Sequence, residues 1–494
     1  MTLALYLTVF LIATCGLVYE LAAAALASYL LGDTVTQFST VIGVYLFAMG
    51  VGSYLSRFIE RDLLGRFVRI ELLVGLVGGS SVAALFVVFG QSGSVRAALY
   101  PLVGAVGILV GLEIPLLIRI LKDRLELRDL VAHVLTFDYV GALAASLLFP
   151  LVLVPQLGLT ASCFLFGCVN VAVGLWSIWL FRDFIRRPRR LALQGTAALA
   201  FLAAGFCLSG RLTTAVEGRI FGAEVIGAVS SPYQRIVVTR RDDDVRLYLN
   251  GHLQFSSEDE YRYHEALVHP GLAARPGARR ALVLGGGDGL AVREILRHPN
   301  IESVTLVDLD PAVTGLFRDN EILSRLNGGS IRHPKVTVVN ADAFHWVGEA
   351  RDLFDFVVAD FPDPSSYSVG KLYTTTFYRA LARLLAPDGL AAVQATSPLS
   401  ARQSYWCVVE TIRAAGLRAV PYHAYVPSMD EWGFVLASRA PYERPERLPD
   451  GLRFLDEAGL RSIFEFPPDM RPLPVEPNRL DSQVLVRYYA GEWR

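Results

Sequence analysis

The chain contains little charge and little cysteine for its length. Charged residues make up 19% of its 494 residues and hydrophobic residues make up 53%, whereas a soluble globular protein has about a quarter charged residues. Its five cysteines include no pair at CxxC or zinc-ligand spacing, so we expect reduced packing residues and no metal site. No concentrated basic region is present, which excludes nucleic-acid binding through phosphate neutralisation. We therefore expect part of the chain to lie in a lipid bilayer.

The shortage of charge is confined to residues 1–212. Residues 213–494 hold 31 Lys and Arg and 36 Asp and Glu, an ordinary soluble composition. A membrane span needs about 20 apolar residues, and the first part has runs of that length. We predict a transmembrane helical domain at 1–212, multi-pass in the cell inner membrane, with six or seven spans. These are residues 4–31, 36–56, 71–90, 98–120, 132–154 and 159–181, the last two joined at 155–158, and a weaker Ala-rich seventh at 191–209.

Basic residues cluster in three of the loops between these spans. Positively charged loops stay on the cytoplasmic side of a membrane, so six spans return the chain to the cytoplasm. A seventh span would place the C-terminal part outside. The loops contain Arg57, Arg61, Arg66 and Arg69; Arg119, Lys122, Arg124 and Arg128; and Arg182, Arg186, Arg187, Arg189 and Arg190.

Three acids lie within the predicted spans: Glu20, Glu113 and Asp138. An unpaired charge in lipid is costly, so such acids are candidates for a binding or transport pathway. A hydrogen bond between helices, or a position near the lipid surface, is the alternative explanation. The sequence leaves both open.

A small β-unit with a linking helix is predicted at 213–270. Residues 235–239 and 245–249 form two strand patterns around a polar turn. Residues 257–267 are first polar and then amphipathic, which predicts a helix that ends before Pro270.

From Ala281 onward, apolar strand patterns alternate with segments of helical length. This alternation indicates a parallel sheet covered on both faces, so we predict an α/β Rossmann-like domain of the class I methyltransferase type at 271–440 and a C-terminal tail at 441–494. The predicted strands are 281–284, 303–307, 336–339, 354–359 and 390–394, and the predicted helices are 290–297, 311–317 and 377–385.

Acids follow three successive predicted strands. The first strand runs into a glycine-rich segment that contains Asp288, where a ligand can approach the backbone closely. The second ends at Asp308, about 20 residues on, where a carboxylate can bind both ribose hydroxyls of a nucleoside. The third ends at Asp342. Together they predict a nucleoside site; alternatively, each acid caps the helix that follows it.

The fourth strand ends at Asp360, followed by Asp363 and a polar loop at 365–370 long enough to act as a lid. A buried carboxylate with a raised pKa suits a general base, and we assign that role to Asp360. Asp363 has a second interpretation as a turn residue, since Asp-Pro often begins a turn.

These motifs, taken together, resemble the polyamine aminopropyltransferases, the spermidine synthases. The resemblance covers roughly residues 230–440, and the whole chain looks like the membrane-fused bacterial branch of that family. The motifs are Tyr233-Gln234, Asn250–Gln254, Asp259–Glu265, Gly285–Gly289 with Arg293-Glu294, Asp308–Asp310, Asp342-Ala343 and Asp360–Pro364.

The resemblance implies transfer of the aminopropyl group of decarboxylated S-adenosylmethionine, as co-substrate with no further cofactor, to putrescine or a related amine. The products would be spermidine and methylthioadenosine. Since that donor is made in the cytoplasm, we expect the catalytic part to face it, and we expect a homodimer. By resemblance, Gln234, Asp308, Asp342 and Ala343 hold the donor's thioadenosine, Asp288 its ammonium, Tyr263, His264, Asp288 and Asp363 the amine, and Asp360 is the base.

The chain departs from the family at two places. Asp308 replaces the usual Glu at the ribose position, and Pro427–Gly433 replaces a Pro-Thr-Tyr-Pro segment that contacts the acceptor. His264 also fits a helix-surface histidine, and the role of Gln394 at a strand end stays open. Two other functions fit parts of the pattern: an S-adenosylmethionine-dependent methyltransferase, and a membrane amine transporter or sensor with a nucleoside-binding domain.

Overall fold

The computed structural model of the protein describes residues 2–31, 34–92, 95–122 and 126–493. The chain forms two compact units, Met1–Gln234 and Arg235–Arg494, which we call the helical unit and the α/β unit. Arg124, one of the basic residues of the second predicted cytoplasmic loop, lies outside the described residues.

Within its described residues the helical unit consists of seven long helices and one strand. The strand, β1, is Glu224–Ser230. Six stretches are long and apolar enough to cross a membrane, with Leu127–Leu180 counted as one. The helices are α1 Thr2–Leu31, α2 Thr34–Leu55, α3 Leu63–Ser92, α4 Arg96–Leu121, α5 Leu127–Leu148, α6 Val154–Leu180 and α7 Pro188–Phe221.

The predicted junction at 155–158 is confirmed as a break in helical geometry. Gly158 has φ +77° and ψ 172° inside α6, and a short π-helical segment, Phe149–Leu153, joins α5 to α6. The seventh helix is longer than the sequence predicted, because α7 continues to Phe221. Residues 213–221 are therefore helical and do not belong to the small β-unit.

Glycines allow neighbouring helices of this unit to touch along their backbones. A Cβ added to Gly52 of α2 would lie 2.1 Å from the Ile108 carbonyl oxygen of α4, and one added to Gly111 of α4 would lie 2.1 Å from the Met49 carbonyl oxygen of α2. Only glycine permits such a close approach of the two backbones.

The α/β unit begins with an antiparallel meander. Its strands are β2 Arg235–Arg241, β3 Asp244–Leu249 and β4 His252–Ser256. The first two confirm the predicted pair, while β4 was not predicted. Helix α8 follows at Glu260–Leu272.

The predicted end of the linking helix before Pro270 is wrong, because Pro270 lies inside α8. A proline within a helix frees the carbonyl four residues earlier, here that of Ala266. The Tyr422 hydroxyl donates to that oxygen at 3.0 Å, so the carbonyl has a partner and the helix continues for two more residues.

A seven-stranded sheet forms the centre of this unit, in the order β10-β11-β9-β8-β5-β6-β7. The predicted parallel strands are confirmed, whereas the antiparallel pair β10 and β11 was not predicted. The strands are β5 Arg280–Gly285, β6 Ser303–Asp308, β7 Val336–Asn340, β8 Phe354–Asp360, β9 Leu385–Gln394, β10 Arg418–Val426 and β11 Asp430–Ser438.

Helix α8 packs on the sheet, and nine further α-helices follow it in the described part of the chain. They are α9 Leu290–Leu296, α10 Pro311–Asp319, α11 Glu321–Leu326, α12 Ala343–Glu349, α13 Tyr367–Gly370, α14 Thr375–Leu384, α15 Arg402–Ala414, α16 Glu457–Ser462 and α17 Val484–Glu492. Residues 441–493 pack on this core: Asn478 and Leu485 are fully buried.

Candidate active site

The carboxyl ends of β5, β6, β7 and β8 meet at one edge of the sheet. Gly285 lies opposite Asp360 and Asp308 lies opposite Asn340 in the strand registers. Gly285 has φ +79°, and a Cβ there would lie 2.0 Å from the Asp360 carbonyl oxygen. Glycine is therefore required where the loop after β5 passes the end of β8.

Asp308 is fixed by the glycine-rich loop. Its carboxylate accepts hydrogen bonds from the backbone N–H groups of Gly287 at 3.0 Å and Asp310 at 2.8 Å. Burial raises the pKa of Asp308 to about 6, although these two hydrogen bonds act to lower it. The side chain does not cap α10, because Asp310 does so. An oriented acceptor of this kind can bind vicinal hydroxyls.

Asp342 caps a helix, one of the two roles that the sequence left open, and its part in a nucleoside site stays a prediction. It caps α12, accepting from the Phe344 N–H at 2.8 Å, and its other oxygen lies 2.6 Å from the Lys371 ammonium. Burial acts to raise the pKa of Asp342, but these two bonds outweigh it and hold the pKa below its usual value. Ala343, buried, is the first residue of the helix. Sequence reasoning missed Lys371.

Asp360 and Tyr263 form a direct hydrogen bond. The Tyr263 hydroxyl donates to the Asp360 carboxylate at 2.6 Å. Burial and the nearby Asp288 raise the pKa of Asp360 to about 6, while the charge on His264 and the Tyr263 bond act to lower it. A carboxyl group with such a pKa is ionised at neutral pH and can still accept a proton.

Asp288 lies in the same electrostatic neighbourhood. Its carboxylate accepts from the Leu290 N–H at 2.9 Å. Burial raises its pKa, and the charge on His264 opposes that shift. The structure thus brings Tyr263, His264, Asp288 and Asp360 together, as the sequence predicted.

His264 is a buried residue and not a helix-surface histidine, at 2% exposure. Its Nδ1 lies 2.8 Å from a Glu260 carboxylate oxygen. Arg293 donates to both oxygens of the same carboxylate at 2.9 Å. Burial acts to lower the pKa of His264, but Glu260 outweighs it and raises the pKa to about 8.

Asp363 is held by three neutral donors. The Gln394 amide donates to it at 2.9 Å, the Thr396 hydroxyl at 3.2 Å and the Tyr489 hydroxyl at 3.0 Å. Burial raises the pKa of Asp363 to about 6, although these three hydrogen bonds act to lower it. This network gives Gln394 the partner that the sequence left open, and Asp363 does more than turn the chain.

Two features of this region were beyond sequence reasoning. Thr396 has φ +60°, a conformation that is rare for a β-branched residue and marks strain held by its surroundings. Tyr489 comes from the C-terminal helix α17, 126 residues away in sequence from Asp363.

The C-terminal segment also holds the predicted lid. The Asn478 amide donates to the carbonyl oxygens of Gly370 and Tyr373, each at 3.1 Å. Part of the loop predicted at 365–370 is the short helix α13. The position of this loop therefore depends on Asn478, near the end of the chain.

Two predicted features lie outside this cluster. Gln234 is the last residue of the helical unit, so its part in donor binding stays a prediction. In the divergent segment 427–433, Ser428 donates to the Asp259 carboxylate through its N–H and its hydroxyl at 2.6 and 2.8 Å. The ring of Trp432 lies 6.4 Å from that of Tyr263, so this segment still borders the site.

Comparison with known proteins gives a consistent result. Residues 260–446 match the spermine/spermidine synthase domain. The chain is 56% identical to polyamine aminopropyltransferase 2 of Ralstonia nicotianae over 99% of this chain and 98% of that one. It is 53% identical to the polyamine aminopropyltransferase of Leptospira interrogans over 100% and 99%. The structural alignment with spermidine synthase from Thermotoga maritima covers 49% of this chain and 84% of that one, with 26% identity and a TM-score of 0.45.

Proposed function

Because the chain belongs to the polyamine aminopropyltransferase family, and is an aminopropyltransferase, we propose that it moves the aminopropyl group of decarboxylated S-adenosylmethionine to putrescine or a related diamine. The products are spermidine and methylthioadenosine. The observation that carries this proposal is the group of acids at the sheet edge: Asp288, Asp360 and Asp363 suit two cationic substrates, and Asp308 suits a ribose.

The donor occupies the side of the site formed by β5, β6 and β7. Asp308 binds the ribose hydroxyls, and the segment at Asp342 and Ala343 lies beside the adenine. Asp288 binds the ammonium of the aminopropyl group, which an intact S-adenosylmethionine would present beside a carboxylate. Repulsion between that carboxylate and Asp288 selects the decarboxylated donor. This selection also disfavours the methyltransferase alternative.

The acceptor amine occupies the side formed by Tyr263, Asp360 and Asp363. A diamine is doubly charged in water, and an ammonium nitrogen has no lone pair with which to attack. Asp363 binds the distal ammonium, while Asp360 accepts the proton of the reacting one. The Tyr263 hydroxyl orients Asp360 so that one carboxylate oxygen remains available for this proton.

The chemical step is a direct displacement. The nitrogen lone pair attacks the propyl carbon attached to the sulfonium, and a C–N bond forms as the C–S bond breaks. The electron pair of the C–S bond goes to sulfur, so that the leaving group is an uncharged thioether. Asp360 holds the one proton that the ammonium lost before the attack, and the new secondary amine leaves as an ammonium ion. The protein contributes mainly positioning and electrostatics.

Substitution of Asp360 by Asn tests the role of the base. We expect turnover to fall by at least about a hundredfold with methylthioadenosine affinity nearly unchanged. Detergent-solubilised full-length enzyme is assayed with putrescine and either decarboxylated or intact S-adenosylmethionine, and methylthioadenosine and spermidine are quantified. Full turnover by a folded Asp360→Asn enzyme would refute the mechanism, and methyl transfer from the intact donor would refute the substrate assignment.

We further propose that the enzyme is membrane-bound through its helical unit, with the α/β unit in the cytoplasm where the donor is made. The six apolar stretches support the first part. A cysteine placed at the exposed residue Asp450, in a protein whose exposed Cys207 is replaced by Ser, tests the second. Labelling of this cysteine by a membrane-impermeant reagent in intact cells would place the α/β unit outside.

A further inference from the structure

The helical unit buries several carboxyl groups, and two of them, in Glu71 and Glu113, have no cationic partner among the described residues. Glu71 of α3 is 0% exposed and Glu113 of α4 is 2% exposed, and their charges interact. Among the described residues of this unit, no arginine or lysine is buried. Glu71 is the first residue of the span predicted at 71–90 and was not among the acids named from the sequence.

A third buried side chain contacts Glu71. The Asn170 amide of α6 donates to one Glu71 oxygen at 2.7 Å, which fixes the orientation of the amide. Its own oxygen then has no donor, although Asn170 is fully buried. The second oxygen of Glu71 and one oxygen of Glu113 also lack donors among the described residues. Three buried acceptors thus remain without a donor.

An aromatic hydroxyl borders the same place. Tyr19 of α1 is 2% exposed, its hydroxyl has no partner in the described part of the chain, and its charge would interact with that of Glu113. Its ring lies against Gly78, where a Cβ would be 2.6 Å from a ring carbon. The ring lines a cavity together with Glu20.

Buried acceptors without donors are rare in proteins, and each destabilises the folded state. A primary ammonium group has three N–H donors, no acceptor and one positive charge. It therefore matches the three free oxygens in number and the two acids in charge, and aromatic rings favour it further. In the described residues no group of three His, Cys, Asp or Glu side chains could hold a metal ion.

We propose that Glu71, Glu113 and Asn170 form a binding site for a primary aliphatic ammonium group within the helical unit, which we call the ammonium site. Acids inside membrane helices commonly mark a substrate path. The choice of putrescine as ligand rests on the proposed function, whereas the site itself rests only on the three unpaired oxygens.

The experiment measures binding of radiolabelled putrescine by equilibrium dialysis against detergent-solubilised full-length protein, without donor. We expect Glu113→Gln and Glu71→Gln each to bind about one putrescine fewer per chain than the wild type, while methylthioadenosine affinity is unchanged. Glu217→Gln is the matched control, since Glu217 is equally buried in α7 but engaged in an interaction. Equal binding by wild type and both variants would overturn the proposal and indicate a pair of protonated acids.

A second measurement needs no variant. Dicyclohexylcarbodiimide labels buried carboxyl groups, and mass spectrometry of peptides locates the label. We expect putrescine to reduce labelling of Glu71 and Glu113 in the wild-type protein at least about fivefold, with Glu217 unaffected. Labelling that putrescine does not change would overturn the proposal. Neither measurement requires turnover, so failure of the proposed reaction would leave both interpretable.

Discussion

Replacing Glu260 by Gln should shift the pH dependence of the reaction without removing any group that contacts substrate. Glu260 lies one helical turn before His264 on α8, with its carboxylate 2.8 Å from Nδ1. It holds the pKa of His264 at about 8, even though burial acts to lower that pKa. Without the carboxylate, burial dominates and the pKa of His264 falls below 6.5.

The size of the effect follows from the charge on His264. A rise from 6.5 to about 8 corresponds to about 2 kcal/mol in favour of the imidazolium. That charge lowers the pKa of Asp360, now about 6. Loss of a nearby opposite charge raises a carboxyl pKa by about 1–3 units. With the smallest of these values, the ionised fraction of Asp360 at pH 6.5 falls about threefold.

The assay is kcat/KM for putrescine between pH 5.5 and 9. We expect the acid limb of the profile to move up by about one unit in Glu260→Gln, with the two enzymes converging above pH 8.5, where His264 is neutral in both. Glu294→Gln is the control: Glu294 also pairs with Arg293, at 2.8 Å, but contacts His269 and not His264. An unmoved acid limb in folded Glu260→Gln would refute the reasoning.

Thermal unfolding supplies an independent readout of the same contact. The folded-state pKa of His264 lies above its unfolded value, so its contribution to stability is complete below about pH 6.5 and is lost as pH rises through about 8. The wild-type Tm should therefore decline across this window, and Glu260→Gln should lose that decline. A parallel decline in both proteins would assign the slope to other groups.

Three further predictions concern the donor, the acceptor and the two units. Asp308→Ala should weaken binding of donor and methylthioadenosine alike, by calorimetry, because the ribose bonds are made equally in ground and transition states; a pure turnover defect would contradict this. Tyr489→Phe removes one donor from Asp363 and should raise KM for putrescine on the order of tenfold, the value of a hydrogen bond to a charged group, whereas the neighbouring Tyr488→Phe should not. A fragment of residues 223–494, which begins after α7 and retains Gln234, should be folded by circular dichroism and active; binding of methylthioadenosine without transfer would assign the helical unit to the acceptor site.

The parallel part of the sheet was predictable because its strands are buried on both faces. Such strands are continuous apolar runs, for example Ala281–Leu284 and Phe354–Ala359, and runs of this kind are readable from sequence. The acids that follow them were predictable for the same reason, since parallel strands present their carboxyl ends at one edge. The position of the candidate site could therefore be predicted from the acids that follow these strands.

The parts that failed depend on contacts between distant residues. Helix α8 continues past Pro270 because the Tyr422 hydroxyl, 156 residues away in sequence, donates to the carbonyl oxygen that the proline leaves free. No local sequence pattern predicts such a donor. Tyr489 reaches Asp363 across a similar separation. Strand β11 is buried from Trp432 to Ser438, so it lacks the polar alternation that identifies an exposed strand.

The hydrogen-bond partners of each site acid determine whether its negative charge is available to a ligand. Asp342 is paired with the Lys371 ammonium at 2.6 Å, so its charge is already neutralised and it suits an uncharged base. Asp363 is bound by neutral donors alone, and Asp360 by the neutral Tyr263 hydroxyl. A carboxylate held by neutral donors keeps its full charge for a ligand, at the cost of a raised pKa. On the proposed function, cation binding is therefore expected at Asp360 and Asp363 and not at Asp342, with the amine beside β8 and the adenine beside β7.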